Sequence, residues 1–391
     1  MFKNPLIKSF FLLWCAHLFM DFFTGIWPIY KTIAQIDITK AGLIAGISGF
    51  LGEILQIGFG YFCDRGHRKK LLLIGIFLAS CILWITFTIN IPSCFMILLI
   101  LMIGSGSFHP AAVGMVGIIS REQKGKGILF FASGGAIGYA VSQLTFTKAM
   151  QICDGHAYIL FIPVVLLLFF LMLHKFPAQQ QVPPTISFKG FFQPILHCRK
   201  PLLLLYLSQV ANQALVTTFL FFLPDLLRTK ECHSWLCMGG GHCCFILGSA
   251  LTMIPAGFLC DKYGQKKVLL TVLLLAVSTF YFFLNLTNFP LAWSMGVLAF
   301  LGASMGIINP IIISWGNRLV PESPSTVSAI LMGFAWCLSH LGTASAGILA
   351  TLFPTQPIVY TLLTLGLLLV ACIGFVLFMP SPQQNPSLAQ E

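Results

Sequence analysis

Long apolar runs alternate with short polar clusters along this chain from Phe10 to Met379. Each run holds about 20 residues, enough as a helix to cross a hydrocarbon core of roughly 30 Å. None shows the one-in-two alternation of a barrel strand, and backbone in hydrocarbon must satisfy its own hydrogen bonds, so every run is predicted to be an α-helix. The predicted spans are 9–30, 41–63, 71–90, 92–119, 128–150 and 157–174, then 201–224, 238–259, 268–287, 290–316, 326–350 and 357–379. Between the sixth and seventh, HKFPAQQQVPPTISFKGFFQPILHCRK carries prolines, glutamines and basic residues that cannot form an apolar span. The expected organisation is a six-helix bundle over 1–174, a cytoplasmic linker over 175–200, a second six-helix bundle over 201–379 and a cytoplasmic tail over 380–391.

Composition agrees with the bilayer as solvent: 57% of the 391 residues are hydrophobic and 8% charged, where a soluble domain carries about a quarter charged. The net charge of +11 raises nucleic acid as a partner, but its carriers sit in short clusters between apolar runs. With both termini and alternate loops on one side, that side receives Lys3 and Lys8, the basic residues of 64–70, 121–126, the linker and 262–267, and Arg318. The other side holds only Lys31, Lys40, Lys148, Arg228 and Lys230, so the positive-inside rule puts both termini in the cytoplasm of a multi-pass inner-membrane protein. No nucleic-acid partner is expected. The first apolar run is longer than a signal peptide's apolar region, contains Asp21 and lacks a small-residue cleavage site, so it is expected to stay.

Most of the 13 cysteines fall inside predicted spans, where a thiol packs as a small apolar group. The segment ECHSWLCMGGGHCC gathers Cys232, His233, Cys237, His242, Cys243 and Cys244 near one loop; a disulfide or a metal site is conceivable there, but the spacing fits no standard zinc pattern and His242 reads as the start of the eighth helix.

The two halves repeat. GYFCDRGHRKK follows the second span and GFLCDKYGQKK the eighth, with Asp64 and Asp261 197 residues apart. Gly106, His109 and Pro110 of the fourth span match Gly306, Asn309 and Pro310 of the tenth at an offset of 200. These loops resemble the signature loop of the major facilitator superfamily, although in the first copy Gly66 comes one position early and His67 stands at the glycine position, and in the second Gln265 replaces a basic residue. The resemblance implies an all-α membrane fold of twelve transmembrane helices in two pseudo-symmetric six-helix bundles, with a substrate site near mid-membrane. It also makes Asp64, Arg65, Arg68, Asp261 and Lys262 gate candidates; simple topogenic charge is the alternative.

Within the superfamily, the first-span pattern of His17, Asp21, Gly25 and Pro28 resembles that of fosmidomycin-resistance-type transporters, as do Gln56 in LQIGFGYFCD and Phe108, His109 and Pro110 in GSGSFHPAA. That similarity implies export driven by protons. The fourth span has no arginine, and the fifth has Gly134, Gly135 and Gly138 of the antiporter signature without its proline, so the direction of transport stays open.

Ionisable residues inside a membrane cost about 2.5–3.5 kcal/mol each on insertion scales and are functional candidates by default. Asp21 lies about 12 residues into its span, roughly 18 Å deep, with His17 one turn earlier on the same face. The pair can couple a proton, contact substrate or fix packing; His109, beside Pro110, has the same three readings. Glu53 is a second proton site, a ligand for a cationic substrate or a packing contact. Gln209, Asn212 and Gln213, with Asn309, can hydrogen-bond a polar substrate; Gln143 and His340 are weaker candidates, since lone polar groups often bond across helices. Gly42, Gly46, Gly49 and Gly52, and the fifth-span glycines, permit close helix approach.

The chain shows no H-E-x-x-H, no G-x-x-x-x-G-K-[ST] and no soluble catalytic domain, so neither an enzyme nor a cofactor is expected. The expected function is secondary transport of a small molecule, as proton-coupled efflux by antiport, with import or exchange of a metabolite as the alternative and a transport-dead receptor as the reading from another class. A monomer is expected. No arginine lies well inside a span, which favours neutral or cationic cargo over organophosphates.

Overall fold

The computed structural model describes residues 5–120, 124–177, 198–287, 290–320 and 327–379. Most of the expected linker and all of the expected tail lie outside these residues. Twelve helices form among them: α1 (Leu6–Ile33), α2 (Ile38–Phe62), α3 (Arg65–Phe87), α4 (Ile91–Ile119), α5 (Lys124–Ile152), α6 (Tyr158–Leu173), α7 (Arg199–Thr229), α8 (Leu236–Tyr263), α9 (Gln265–Asn285), α10 (Leu291–Leu319), α11 (Ala329–Phe334 continuing as Ala335–Leu349) and α12 (Pro357–Leu377). Nine are long and apolar enough to cross a membrane on length and composition alone, and α6 is a shorter apolar helix. Large apolar side chains remain exposed on many of them, as hydrocarbon-facing surfaces require.

Contacts divide the chain into two compact units. One contains residues up to 183 together with Ser234–Cys243, so the first turns of α8 pack with the first half; the other contains the remainder. In the first unit α1 packs on α5, while α2 and α3 both pack on α4. In the second, α7 packs against α11 and α12, and α9 against α10. Phe219 of α7 anchors that unit's core, its ring 5.3 Å from Phe245 and 5.8 Å from both Phe280 and Phe283.

Two helices break where their sequence removes a hydrogen bond. Pro28 has no N–H for the carbonyl of Thr24, and α1 is interrupted at Gly25. Around the break the Asp21 carbonyl accepts from the Gly25 N–H at 3.2 Å and from Thr24 Oγ1 at 2.9 Å. Likewise Pro310 deprives the Gly306 carbonyl of its donor, and α10 is interrupted at Ile307. Pro110 sits inside α4 without such an interruption.

The third helix starts earlier than its expected 71, because the charged run after α2 is itself helical except at Gly66, whose φ is 91°. The glycine that comes one position early is the turning residue, and His67 keeps an ordinary φ of −93°. In the second half the turn falls on Gly264, with φ 81°.

The repeat extends to a shared contact. Lys69 Nζ donates to the carbonyls of Met172 and His174, at 2.9 and 2.8 Å, closing the C-terminus of α6. Lys266, 197 residues later, donates to those of Leu377 and Met379, at 3.2 and 2.7 Å, at the end of α12. A cation on the last carbonyls of a helix is typically stabilising by about 0.3–2 kcal/mol. We therefore expect Lys69→Met and Lys266→Met each to lower the unfolding free energy by about 1 kcal/mol. Thermal unfolding of the purified protein in detergent checks this; unchanged midpoints in both variants would show that the carbonyls need no cation.

Candidate functional site

The first unit brings His17, Asp21 and His109 together. His17 and Asp21 share a face of α1 one turn apart, and His17 Nε2 lies 3.3 Å from Asp21 Oδ2. His109, on α4, places its Nε2 3.5 Å from Asp21 Oδ1. The far nitrogen of each ring is fixed by backbone: His17 Nδ1 donates to the Phe131 carbonyl at 2.9 Å, and His109 Nδ1 to the Ser105 carbonyl at 3.0 Å. The His17 ring also stacks on Phe131, with centroids 4.1 Å apart.

The α5 glycines allow this assembly. A Cβ on Gly135 would lie 2.6 Å from His17 Nε2 and closer still to the Asp21 carboxylate, and one on Gly138 would strike the Leu18 backbone. On the other side α2 meets α4 backbone to backbone, where a Cβ on Gly52 would come within 2.5 Å of Met102. Next to that crossing, buried Glu53 accepts a hydrogen bond from Gln56 Nε2 and interacts electrostatically with His109 and Asp21. The cluster is only partly closed: about a quarter of the side-chain surface of Asp21 (25%) and of His109 (26%) is accessible.

Gln143 lies two turns beyond Gly135 on α5, fully buried, with neither amide atom hydrogen-bonded to the described residues. Near it, His242 Nε2 donates to the Tyr139 carbonyl at 2.9 Å, and the His242 ring meets the Tyr139 ring edge-on at 4.6 Å. None of the thirteen cysteines forms a disulfide, Cys232 and Cys237 included.

In the second unit Gln209 Nε2 donates to Asn309 Oδ1, and Asn212 Nδ2 to Gln213 Oε1 at 3.5 Å. Gln209 Oε1 and Asn212 Oδ1 are buried with no hydrogen-bond partner among the described residues. His340 lies on α11 and is half-buried.

Of the gate candidates, Asp261 pairs with Arg318 at 2.6 Å, tying α8 to α10 within its own half. Lys262 lies over the Tyr263 ring at 5.1 Å and the Arg65 guanidinium over the Tyr61 ring at 3.8 Å. Arg68 packs beside Gly114, where a Cβ would approach its Nε within 2.8 Å. The side chain of Asp64 lies outside the described residues. Arg318, read from sequence only as a topogenic charge, is the partner that reasoning missed; its place at the end of the tenth span was the available signal. For the contact of His242 with Tyr139 the sequence holds none.

Comparison with known proteins fits this architecture. The Major Facilitator Superfamily profile matches residues 9–233 and again 205–391. An uncharacterized MFS-type transporter of Bacillus subtilis (strain 168), YfnC, is 20% identical over 365 residues, which span 88% of this chain and 86% of that protein. Among solved structures, a bacterial homologue of the human lysosomal transporter Spinster, inward-facing and occupied, superposes with a TM-score of 0.74 at 13% identity, over 96% of both chains. A mutant of the nucleoside transporter NupG gives 0.72 at 12% identity, over 97% of this chain and all of that one. With a superfamily profile matching each half of a chain of twelve helices, the protein belongs to the major facilitator superfamily and is a multi-pass membrane transporter of small molecules, not an enzyme.

Proposed function

We propose that this transporter is a proton-coupled exporter of a neutral or cationic small molecule, working by alternating access in the inner membrane with both termini cytoplasmic. It is a monomer whose bundles over 1–174 and 201–379 move about the 175–200 linker. The observation that carries the proton role is the convergence of His17, Asp21 and His109. A carbonyl only accepts, so the Nδ1 of His17 carries a proton and its Nε2 faces the carboxylate; His109 Nδ1, which also lies 3.2 Å from Ser105 Oγ, takes the same tautomer when it donates to the Ser105 carbonyl. With no further proton, both contacts set lone pair against lone pair. One proton, on a histidine or on the carboxyl, turns one contact into a hydrogen bond; a second satisfies the other. The cluster then steps through net charges of −1, 0 and +1. A group that exchanges protons next to a helix break suits coupling to movement.

The residues behind the assignment to the fosmidomycin-resistance type support it as a set. His17, Asp21 and His109 form the cluster, Gly25 and Pro28 make the break, and Gln56 holds Glu53. Gln209, Asn212 and Asn309 serve as neutral hydrogen-bonding groups for substrate, with two orphaned carbonyl oxygens that suit a ligand rich in N–H or O–H donors.

Asp21→Asn keeps size and hydrogen bonding but removes one titrating group. In everted vesicles, with organic cations and neutral compounds first screened for uptake, we expect this variant to lose accumulation driven by a pH gradient while retaining energy-independent exchange. Gradient-driven uptake at the native rate by folded Asp21→Asn would refute the proton role, and loss of binding itself would make Asp21 a substrate ligand.

The Asp261–Arg318 pair is proposed to latch the cytoplasmic end of the second half. Exposed pairs contribute about 0.2–1 kcal/mol, so Asp261→Asn or Arg318→Gln should speed maleimide labelling of the neighbouring buried Cys260 by no more than about fivefold. No change in either variant, in a background where Cys260 is the only cysteine, would remove the latch.

A further inference from the structure

We propose that the His17–Asp21–His109 cluster binds one first-row transition-metal cation of the Zn²⁺ type, on the donor atoms that otherwise hold protons, and that this occupancy inhibits transport. Among the described residues these are the one group of three metal-capable side chains that converge, their ligand atoms all within 4.8 Å of one another. Three features favour a cation. Both rings donate Nδ1–H to a backbone carbonyl, the outer-shell bond that fixes a metal-ligating histidine with Nε2 forward. The separations of 3.3 and 3.5 Å exceed the ~2.7–2.9 Å of a charge-assisted hydrogen bond. The two rings approach different oxygens of the one carboxylate, Oδ2 for His17 and Oδ1 for His109, so all three groups lie close enough to gather on a single ion.

The donor set selects the ion. Two imidazoles and one carboxylate suit Zn²⁺, Co²⁺ or Ni²⁺, whereas Mg²⁺ and Ca²⁺ prefer oxygen throughout. Gly135 puts no side chain over the cluster, and the accessible quarter of Asp21 and His109 leaves a route in. Binding rests on geometry alone; the inhibition rests on the proton-coupling reading given above.

The test is a Co²⁺ titration of the purified full chain in detergent. We expect one Co²⁺ per chain with the visible bands of nitrogen and oxygen ligation, displaced by Zn²⁺, and an affinity at least about tenfold lower in His109→Asn and in His17→Gln. His17 stacks on Phe131, so His17→Gln can fail to fold; His109, a quarter exposed, then carries the test alone. A sulfur-to-cobalt charge-transfer band would assign the metal to the Cys232–Cys244 segment and overturn the site, as would affinity unchanged in the folded variants. In proteoliposomes Zn²⁺ should stop transport, and Zn²⁺ accumulating inside would overturn inhibition by making the ion cargo. The two readings fail separately: metal-free transport that ignores a pH gradient sinks the coupling role and leaves the cobalt spectrum intact.

Discussion

Peptide groups and charges leave water when this chain enters a bilayer, and each must then find a partner within the protein. The helices meet most of that demand internally. What is left over falls at their ends and interruptions, and the informative polar contacts are found there. Lys69 and Lys266 serve the last carbonyls of α6 and α12, and Lys230 donates to the carbonyls of Leu284 and Leu286 at the end of α9. Thr24 and Gly25 both donate to the Asp21 carbonyl at the break in α1.

The same constraint builds the ionisable cluster. A carboxylate among apolar helices needs donors close by, and the two nearest are imidazoles whose orientation is set by carbonyls of α4 and α5. The Phe131 carbonyl can reach the His17 ring because α5 approaches α1 along Gly135 and Gly138, whereas the Ser105 carbonyl lies one turn before His109 on the same helix. The glycines are therefore part of the site, although none carries a functional group. Adding a methyl group at Gly135 would force apart the His17 ring and the Asp21 carboxylate.

The fold was legible because its signal is coarse: a run of twenty apolar residues has one reading in hydrocarbon, and the two aspartates 197 residues apart expose the duplication. The pairing of His17 with Asp21 followed from helical spacing. The partnership with His109 did not, since it depends on how α4 crosses α1. Asp261 with Arg318 and His242 with Tyr139 were hidden for the same reason: period and hydropathy describe one helix at a time, and these contacts join two. The early start of α3 was missed because hydropathy reads a charged run as a loop, whereas the backbone there turns only at Gly66.

The two halves share an architecture but differ in chemistry. In each, a residue at the same repeat position on the fourth helix reaches the first helix of its own half: His109 reaches Asp21, and Asn309 reaches Gln209. The first contact joins two groups that change charge; the second joins two amides that cannot. A duplicated gene begins with the same residues in both places, so one lineage of this contact has kept or acquired titration and the other has lost or never had it. An amide pair holds its hydrogen bond at every pH, whereas an imidazole–carboxylate pair changes its bonding with each proton. One repeated position thus joins ionisable groups in the first half and amides in the second, which is where the chemistry of the two halves parts.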